Sequence, residues 1–284
     1  MINRPALKYN GGKFLIRKWI LDNLPEHKSY IETCFGAGSV LLSKKRSSME
    51  FANDIDGNVH NFFTVLRDNP KELIRMITYT EYSDRFLQKS LKMIQSETDP
   101  IKQAYYFYCI SWMSMRANDT RSSNLNFRMK GNISKSGGHN PANLFAQTKH
   151  LYQIAKRLRG VIITNLDIND TLYLDSKDSL FYVDMPYLHS SRNSKNMYNH
   201  EFGKKTEHST VLYNLTNISG MAVVSHYESD LYDSILHSWE KIKITTSSNT
   251  FTANNKNRKR TEFLYINPAA IKRNYPLLFN KESI

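Results

Sequence analysis

Asp184, Met185, Pro186 and Tyr187 follow directly on the apolar run Leu180-Phe181-Tyr182-Val183. This puts a carboxylate, a constrained turn and an aromatic ring at the carboxyl edge of a predicted strand, where open α/β sheets bind their ligands. A plain strand-ending turn accounts for the acid and the proline, but not for the whole arrangement. Phe35-Gly36-Ala37-Gly38-Ser39 lies between a second predicted strand and a predicted helix. Glycines there let the backbone approach a ligand closely and aim a helix amino terminus at it. The third glycine of the dinucleotide-binding pattern is missing, with Leu41 in its place, so a tight structural turn explains the segment equally well. Asp54 favours a ligand. It ends the next predicted strand, 18 residues beyond Gly36, where an acid can accept hydrogen bonds from both hydroxyls of a ribose. An adenosyl ligand joins these observations; the alternative for Asp54 is to cap the helix that begins near Gly57, a task open to Asp56 as well.

Such residues meet only if a parallel sheet brings several strand ends to one edge. The pattern of apolar residues predicts a helix over Lys13–Asn23, strands at Ser29–Glu32 and Met49–Ala52, and a helix restarting at Ser39–Lys44. From Pro70 to Ser114 the spacing turns helical throughout. Arg116–Pro141 is dense in Asn, Ser, Gly, Arg and Lys and predicts loops or a hairpin. After a helix over Asn143–Leu158, strands return at Val161–Thr164, Leu180–Val183, Met221–Ser225 and Ile242–Thr245, with helices at Glu207–Ile218 and Ser229–Leu236. The expected architecture is therefore α/β: a doubly wound, Rossmann-like sheet formed by residues 1–64 and 146–284. It is interrupted by a mainly helical insertion, residues 65–145, that contains a loop or hairpin.

The 284 residues carry a net charge of +13, and the excess is uneven: Met115–Gly160 holds nine basic residues and one acid, Asp119. This field favours a polyanion, nucleic acid being the commonest soluble one, although a solvated basic face would look the same. Cys34 and Cys109 are too few and too far apart for a disulfide framework or a paired-cysteine zinc site, and no metal is expected. Reducing cytoplasm fits this usage. No signal-type core opens the chain, and the longest strongly apolar stretch, Tyr105–Met115, is far below a bilayer span, so no membrane is implied.

Taken together, these motifs resemble the Dam-like DNA adenine methyltransferases, phage-type members in particular. Leu7-Lys8-Tyr9-Asn10-Gly11-Gly12-Lys13 resembles the family's amino-terminal cofactor motif, Glu32–Leu41 its Gly-rich motif, Asn53-Asp54-Ile55-Asp56 its ribose-binding acid and Asp184–Tyr187 its catalytic tetrapeptide. Asn165-Leu166-Asp167 resembles the segment that holds the cofactor's adenine. Tyr198–Phe202, Ser225–Tyr232 and Arg260–Asn267 are similar to the carboxyl-terminal half of these enzymes. One position departs: the family usually writes Asp-Pro-Pro-Tyr, and Met185 stands at the first proline. A backbone carbonyl survives that change, but the fixed φ of proline does not.

The resemblance implies S-adenosylmethionine as cofactor and double-stranded DNA as substrate, with methyl transfer to the N6 amino group of a flipped adenine. That nitrogen is a poor nucleophile because its lone pair is delocalised into the ring. Asp184 and the Met185 carbonyl would each accept one N–H and concentrate electron density on the side facing the methyl donor. Tyr187, with Pro186 before it, would be the platform for the flipped ring. Tyr9, Asn10, Gly12, Lys13, Phe35, Gly36, Gly38, Asp54, Ile55, Asp167 and Asp184 would hold the cofactor, plain packing being the rival reading for Tyr9 and Phe35. For DNA, Lys8, Arg116, Arg121, Arg128 and Lys130, with Asn124, Asn126, Asn132 and Asn140, are candidates for phosphate or base contacts. Lys256, Arg258, Lys259 and Arg260 could grip backbone or form a basic loop. The implied protein is a monomer or weak dimer in the cytoplasm of a bacterium or of its phage-infected counterpart. Two rival classes remain at this stage: a non-catalytic DNA-binding protein on a decayed methyltransferase fold, and a nucleotide-dependent oxidoreductase.

Overall fold

A computed structural model describes residues 2–9, 11–115, 119–120, 125–129, 140–188, 202, 204–248 and 258–274. Seven strands form one sheet: β1 (Ser29–Glu32), β2 (Met49–Asn53), β3 (Ile162–Thr164), β4 (Ser179–Val183), β5 (Met221–His226), β6 (Glu240–Ser248) and β7 (Arg258–Ile266). Their order is β3-β2-β1-β4-β5-β7-β6. The first five are parallel, while β7 lies antiparallel between β5 and β6. The sheet is therefore mixed rather than wholly parallel, and β7, which carries no separate strand prediction, is what mixes it.

From β1 the chain winds outward through β2 to β3, then returns to β4 on the other side of β1 and winds the opposite way to β5. The reversal between β1 and β4 is the switch point of a doubly wound sheet, where the connections diverge and leave a crevice at the carboxyl ends. The segments after β1, β2 and β4 are the ones that carry the Gly-rich turn, Asp54 and Asp184.

Central parallel strands are covered on both faces, so they read as unbroken apolar runs. All five residues of β4 and all six of β5 are buried. Successive side chains alternate between faces. Tyr30, Ala52, Leu180, Tyr182 and Val223 enter one core with α2 (Gly57–Asp68), α3 (Pro70–Thr78), α5 (Pro100–Met113) and α7 (Lys149–Leu158). Ile31, Phe51, Phe181, Val183 and Val224 enter the other with α8 (Lys205–Thr216) and α9 (Asp230–Ile235). Between β2 and β3 stand α2 to α7, including α4 (Asp84–Met93) and α6 (Pro141–Ala146). Of these, α2, α3, α5 and α7 all contribute to the first core, so the helical segment is joined to the sheet by shared apolar surface.

Three local predictions change. The amino-terminal helix is a 3₁₀ turn at Lys13–Leu15 followed by α1 (Arg17–Asp22). Residues 39–44 form successive turns whose bonds mix Leu42 N to Gly38 O with Ser43 N to Val40 O. There the Lys44 ammonium bonds Ser47 and Glu50, turning the chain back toward β2 before a regular helix can extend. The helix expected over Asn143–Leu158 is two helices, α6 and α7, parted at Gln147–Thr148. Among the described residues no helix is long and apolar enough to cross a membrane.

Candidate active site

Asn53 closes β2 and joins three strand ends. Its amide donates to Thr33 O and Leu166 O, each at 3.0 Å, and its side-chain oxygen accepts from Thr164 Oγ1 and Leu166 N–H. That engages both donors and both lone pairs of the amide, which fixes the neighbouring backbone. Asp54, next in the chain, is buried and accepts Gly36 N–H at 2.7 Å and Asp56 N–H at 2.9 Å. Burial pushes its carboxyl up to about 7, against the pull of those two bonds. The cap of α2 is Asp56, whose carboxylate accepts Asn58 N–H, so Asp54 is not the helix cap.

Gly36 and Gly38 have φ of +48° and +66°, the left-handed region that costs an L side chain about 1–2 kcal/mol. A Cβ on Gly38 would lie 2.4 Å from Phe35 Cζ. Phe35 itself packs against Phe63 at 4.7 Å between ring centroids. Glu32, at the end of β1, accepts Tyr30 O–H and Leu41 N–H, and burial raises its carboxyl to about 8.

Beyond β4, Asp184 pairs with Lys13: Nζ lies 2.7 Å from Oδ1. Burial lifts the Asp184 carboxyl to about 6, and the lysine opposes that rise. Met185 is 2% exposed and packs in the second core. The anchored methionine side chain therefore restrains the turn where the family's proline would have done so by its ring. Behind the turn, Leu188 N–H donates to His226 Nε2, and His226 Nδ1 bonds Tyr227 O. Burial holds that imidazole down at about 3, hence neutral. His226 stacks on Tyr232 at 3.9 Å, and the Tyr232 hydroxyl bonds His208 Nδ1. Tyr187 meets His226 and Tyr227 edge to face.

A cavity of about 630 Å³ at the switch point is lined by Tyr9, Gly12, Lys13, Phe35, Gly36, Asp54, Ile55, Asp167, Asp184, Met185, Pro186 and Tyr187. That volume is in the range of small-molecule sites. Gly38 lies outside this lining and shapes the turn from behind. Asp167 caps its own turn, accepting Asn169 N–H. Glu32, Ser39 and Phe202, which lie inside the motifs but not among the residues expected to make contacts, also line the cavity, as do Asn169 and Tyr182. Among the described residues Ser39 Oγ is buried without a hydrogen-bond partner, so it is free to bond a polar ligand group.

A second cleft of about 270 Å³ shares Tyr9, Gly12, Ala37 and Ser39 with the first and adds Lys8 and Arg128. Lys8 is pushed down to about 8 by burial and by the neighbouring Arg128 and Arg4 guanidiniums. Arg128 donates twice to Ser114 O, beside an isolated antiparallel bridge between Ser114 and Phe127. Asn126 belongs to the same pairing through its backbone oxygen, which accepts Met115 N–H. Asn140 lies elsewhere, capping α6 through Ala142 N–H. Asn10, Arg116, Arg121, Asn124, Lys130, Asn132, residues 198–201 and Lys256 lie outside the described residues, as do the side chains of Arg258, Lys259 and Arg260.

The chain is similar to known proteins over most of its length. A "DNA adenine methylase" of Haemophilus influenzae is 23% identical over 209 residues, 71% of this chain and 70% of that protein. One of Serratia marcescens is 23% identical over 190 residues, 65% of this chain and 67% of that protein. A solved precorrin 8w decarboxylase from Methanobacterium thermoautotrophicum covers 91% of this chain at 9% identity, but its TM-score of 0.38 is too low to bear on fold or activity. The profile of the D12 class N6 adenine-specific DNA methyltransferases matches residues 9–268, nearly the whole chain, and the chain belongs to that family.

Proposed function

We propose that this adenine-N6 DNA methyltransferase takes its methyl group from S-adenosylmethionine bound in the switch-point cavity, and delivers it to an adenine flipped out of double-stranded DNA. The observation that carries this reading is that Asp54 and Asp184, 130 positions apart, open into one cavity. The donor set suits the cofactor. Two backbone N–H bonds use only half of the roughly four lone-pair positions of the Asp54 carboxylate, leaving acceptors for two ribose hydroxyls. Ile55 is 48% exposed beside it, an apolar wall for a purine. Asp167 and Tyr9 are assigned to the adenine and the methionine end.

Bound there, the sulfonium supplies an electrophilic methyl carbon. The protein's part is to make the adenine amine a nucleophile. Lys13 donates to Asp184 Oδ1, which keeps the carboxylate ionised despite burial and leaves Oδ2 to accept one amine N–H. The Met185 carbonyl accepts the other, and Tyr187 supports the ring. Holding both N–H groups out of the ring plane pulls the nitrogen toward a tetrahedral form, with its lone pair on the methyl side. As the N–C bond formed the C–S bond would break, S-adenosylhomocysteine would leave, and one amine proton would pass to Asp184 Oδ2.

Lys8 and Arg128, in the adjoining cleft, are assigned to the DNA, and residues 65–145 to target recognition. The test is incubation with methyl-labelled S-adenosylmethionine and mixed-sequence duplex DNA lacking adenine methylation. Label recovered as N6-methyladenine is the expected result; label absent from adenine would overturn the reading. Base-resolution sequencing of the product then supplies the target sequence.

A further inference from the structure

The carboxyl-terminal strands bring one acid to the reactive tetrapeptide from far along the chain. In the pairing of β7 with β5, Phe263 stands opposite His226, so Glu262 emerges at the carboxyl end of β5, beside Tyr187. The Tyr187 hydroxyl donates to Glu262 Oε2, and the same oxygen lies 3.9 Å from Lys13 Nζ. Lys13 is thereby shared between Asp184 and Glu262, with its ammonium 4.7 Å from the Tyr187 ring centroid. The Lys13 and Glu262 side chains are 4% and 13% exposed. A carboxylate this buried needs partners to offset its lost hydration, and both of its partners belong to the reaction centre.

We propose that Glu262 is a positioning residue for methyl transfer: it tethers the Tyr187 ring by its hydroxyl and, through the shared Lys13 ammonium, sets the charge at Asp184. This rests on the roles given above to Asp184 and Tyr187. The tether is geometric. His226 and Tyr227 fix the plane of the Tyr187 ring from its sides, and Glu262 fixes its far end, so a base stacked on it meets a preset surface. The charge effect is electrostatic. Other titratable groups around Asp184 are Glu32, Cys34, Tyr182, Tyr187 and Tyr232. Burial raises all five and holds them neutral near pH 6 to 7, so among the described residues Lys13 and Glu262 are the charges that act on Asp184. They act in opposite senses: the lysine lowers its carboxyl and the glutamate raises it.

The test uses Glu262→Gln, which keeps shape and an oxygen for the Tyr187 hydroxyl while losing the charge, alongside Glu262→Ala and Lys13→Met. Carbon-13 carboxyl NMR of aspartate-labelled protein follows the Asp184 titration, assigned by its loss in Asp184→Asn. The expected result is a titration displaced to lower pH in Glu262→Gln and to higher pH in Lys13→Met. In steady-state assays Glu262→Ala lowers kcat by up to roughly a hundredfold with little change in KM, and Glu262→Gln recovers most of it. Unmoved titration in Glu262→Gln together with wild-type kcat in Glu262→Ala would overturn the proposal. If Glu262→Ala does not fold, the isosteric variant decides alone, since its titration must still move. A wild-type protein that moves no methyl group to DNA, with the titrations shifting as stated, would instead defeat the reaction assigned above while leaving the charge coupling in place.

Discussion

Two carboxylates, the buried Asp54 after β2 and the half-buried Asp184 after β4, sit in the same cavity and are held in different ways. Asp54 is met by two backbone N–H groups, with no cation among its named partners; Asp184 is met by a lysine ammonium at 2.7 Å. The difference shows in their carboxyls, raised to about 7 for the first and about 6 for the second. Fixed peptide dipoles suit a group that must hold a neutral ligand in place. A paired ammonium suits one that, in the proposed role, stays ionised while it draws charge from an amine.

The largest effect should come from Asp184→Ala. Loss of a positioned electrostatic contact typically costs roughly 10²–10³ in rate, so labelled-methyl transfer should fall at least that far while gel-shift affinity for DNA stays close to wild type. Equal activity would break the contrast at once. The same contrast has a pH signature in the wild type. In the proposed mechanism the charged form of Asp184 is the working one, so transfer should decline as pH falls through about 6, and a rate flat between pH 5 and 8 would contradict it.

Asp54→Ala comes next. Losing two charge-assisted hydrogen bonds, each worth about 1.5–3 kcal/mol, should weaken binding of S-adenosylhomocysteine by about a hundredfold or more in calorimetry. If affinity is unchanged, Asp54 serves the loop alone. Gly38→Ala should lower the melting temperature by several degrees. It forces a left-handed residue at a cost of about 1–2 kcal/mol and drives a methyl group onto Phe35. The smallest effect belongs to Met185→Pro. The methionine side chain already pins the turn from the core, so transfer should change by less than about tenfold while the loss of buried surface costs about 1–3 kcal/mol of stability. A large gain in rate would mean that the turn is loosely held after all.

Much of this centre is legible from contiguous residues. The tetrapeptide, the Gly-rich turn and Asp54 each lie just after an apolar run, and strands Ser29–Glu32 and Ser179–Val183 follow the predicted positions closely. Pairings between distant segments are not legible in that way. Lys13 reads as a cofactor residue within its own motif, and only the fold reveals its bond to Asp184. Glu262 sits in a strand whose alternation is obscured by Arg258, Lys259 and Arg260 and whose partner is β5, more than thirty residues earlier. Asn140 reads as a base contact by type, yet its side chain is committed to the start of α6 before Pro141. The break between α6 and α7 falls at Gln147 and Thr148, where neither glycine nor proline marks it.

The antiparallel placement of β7 has a consequence for how the molecule is made. Until Arg258–Ile266 has left the ribosome, β5 has a bare edge and β6 has no neighbour, because β7 is the strand that stands between them. Synthesis must therefore pass Ile266 before the sheet can close, and a nascent chain halted earlier would expose an unpaired apolar strand of the kind that invites aggregation.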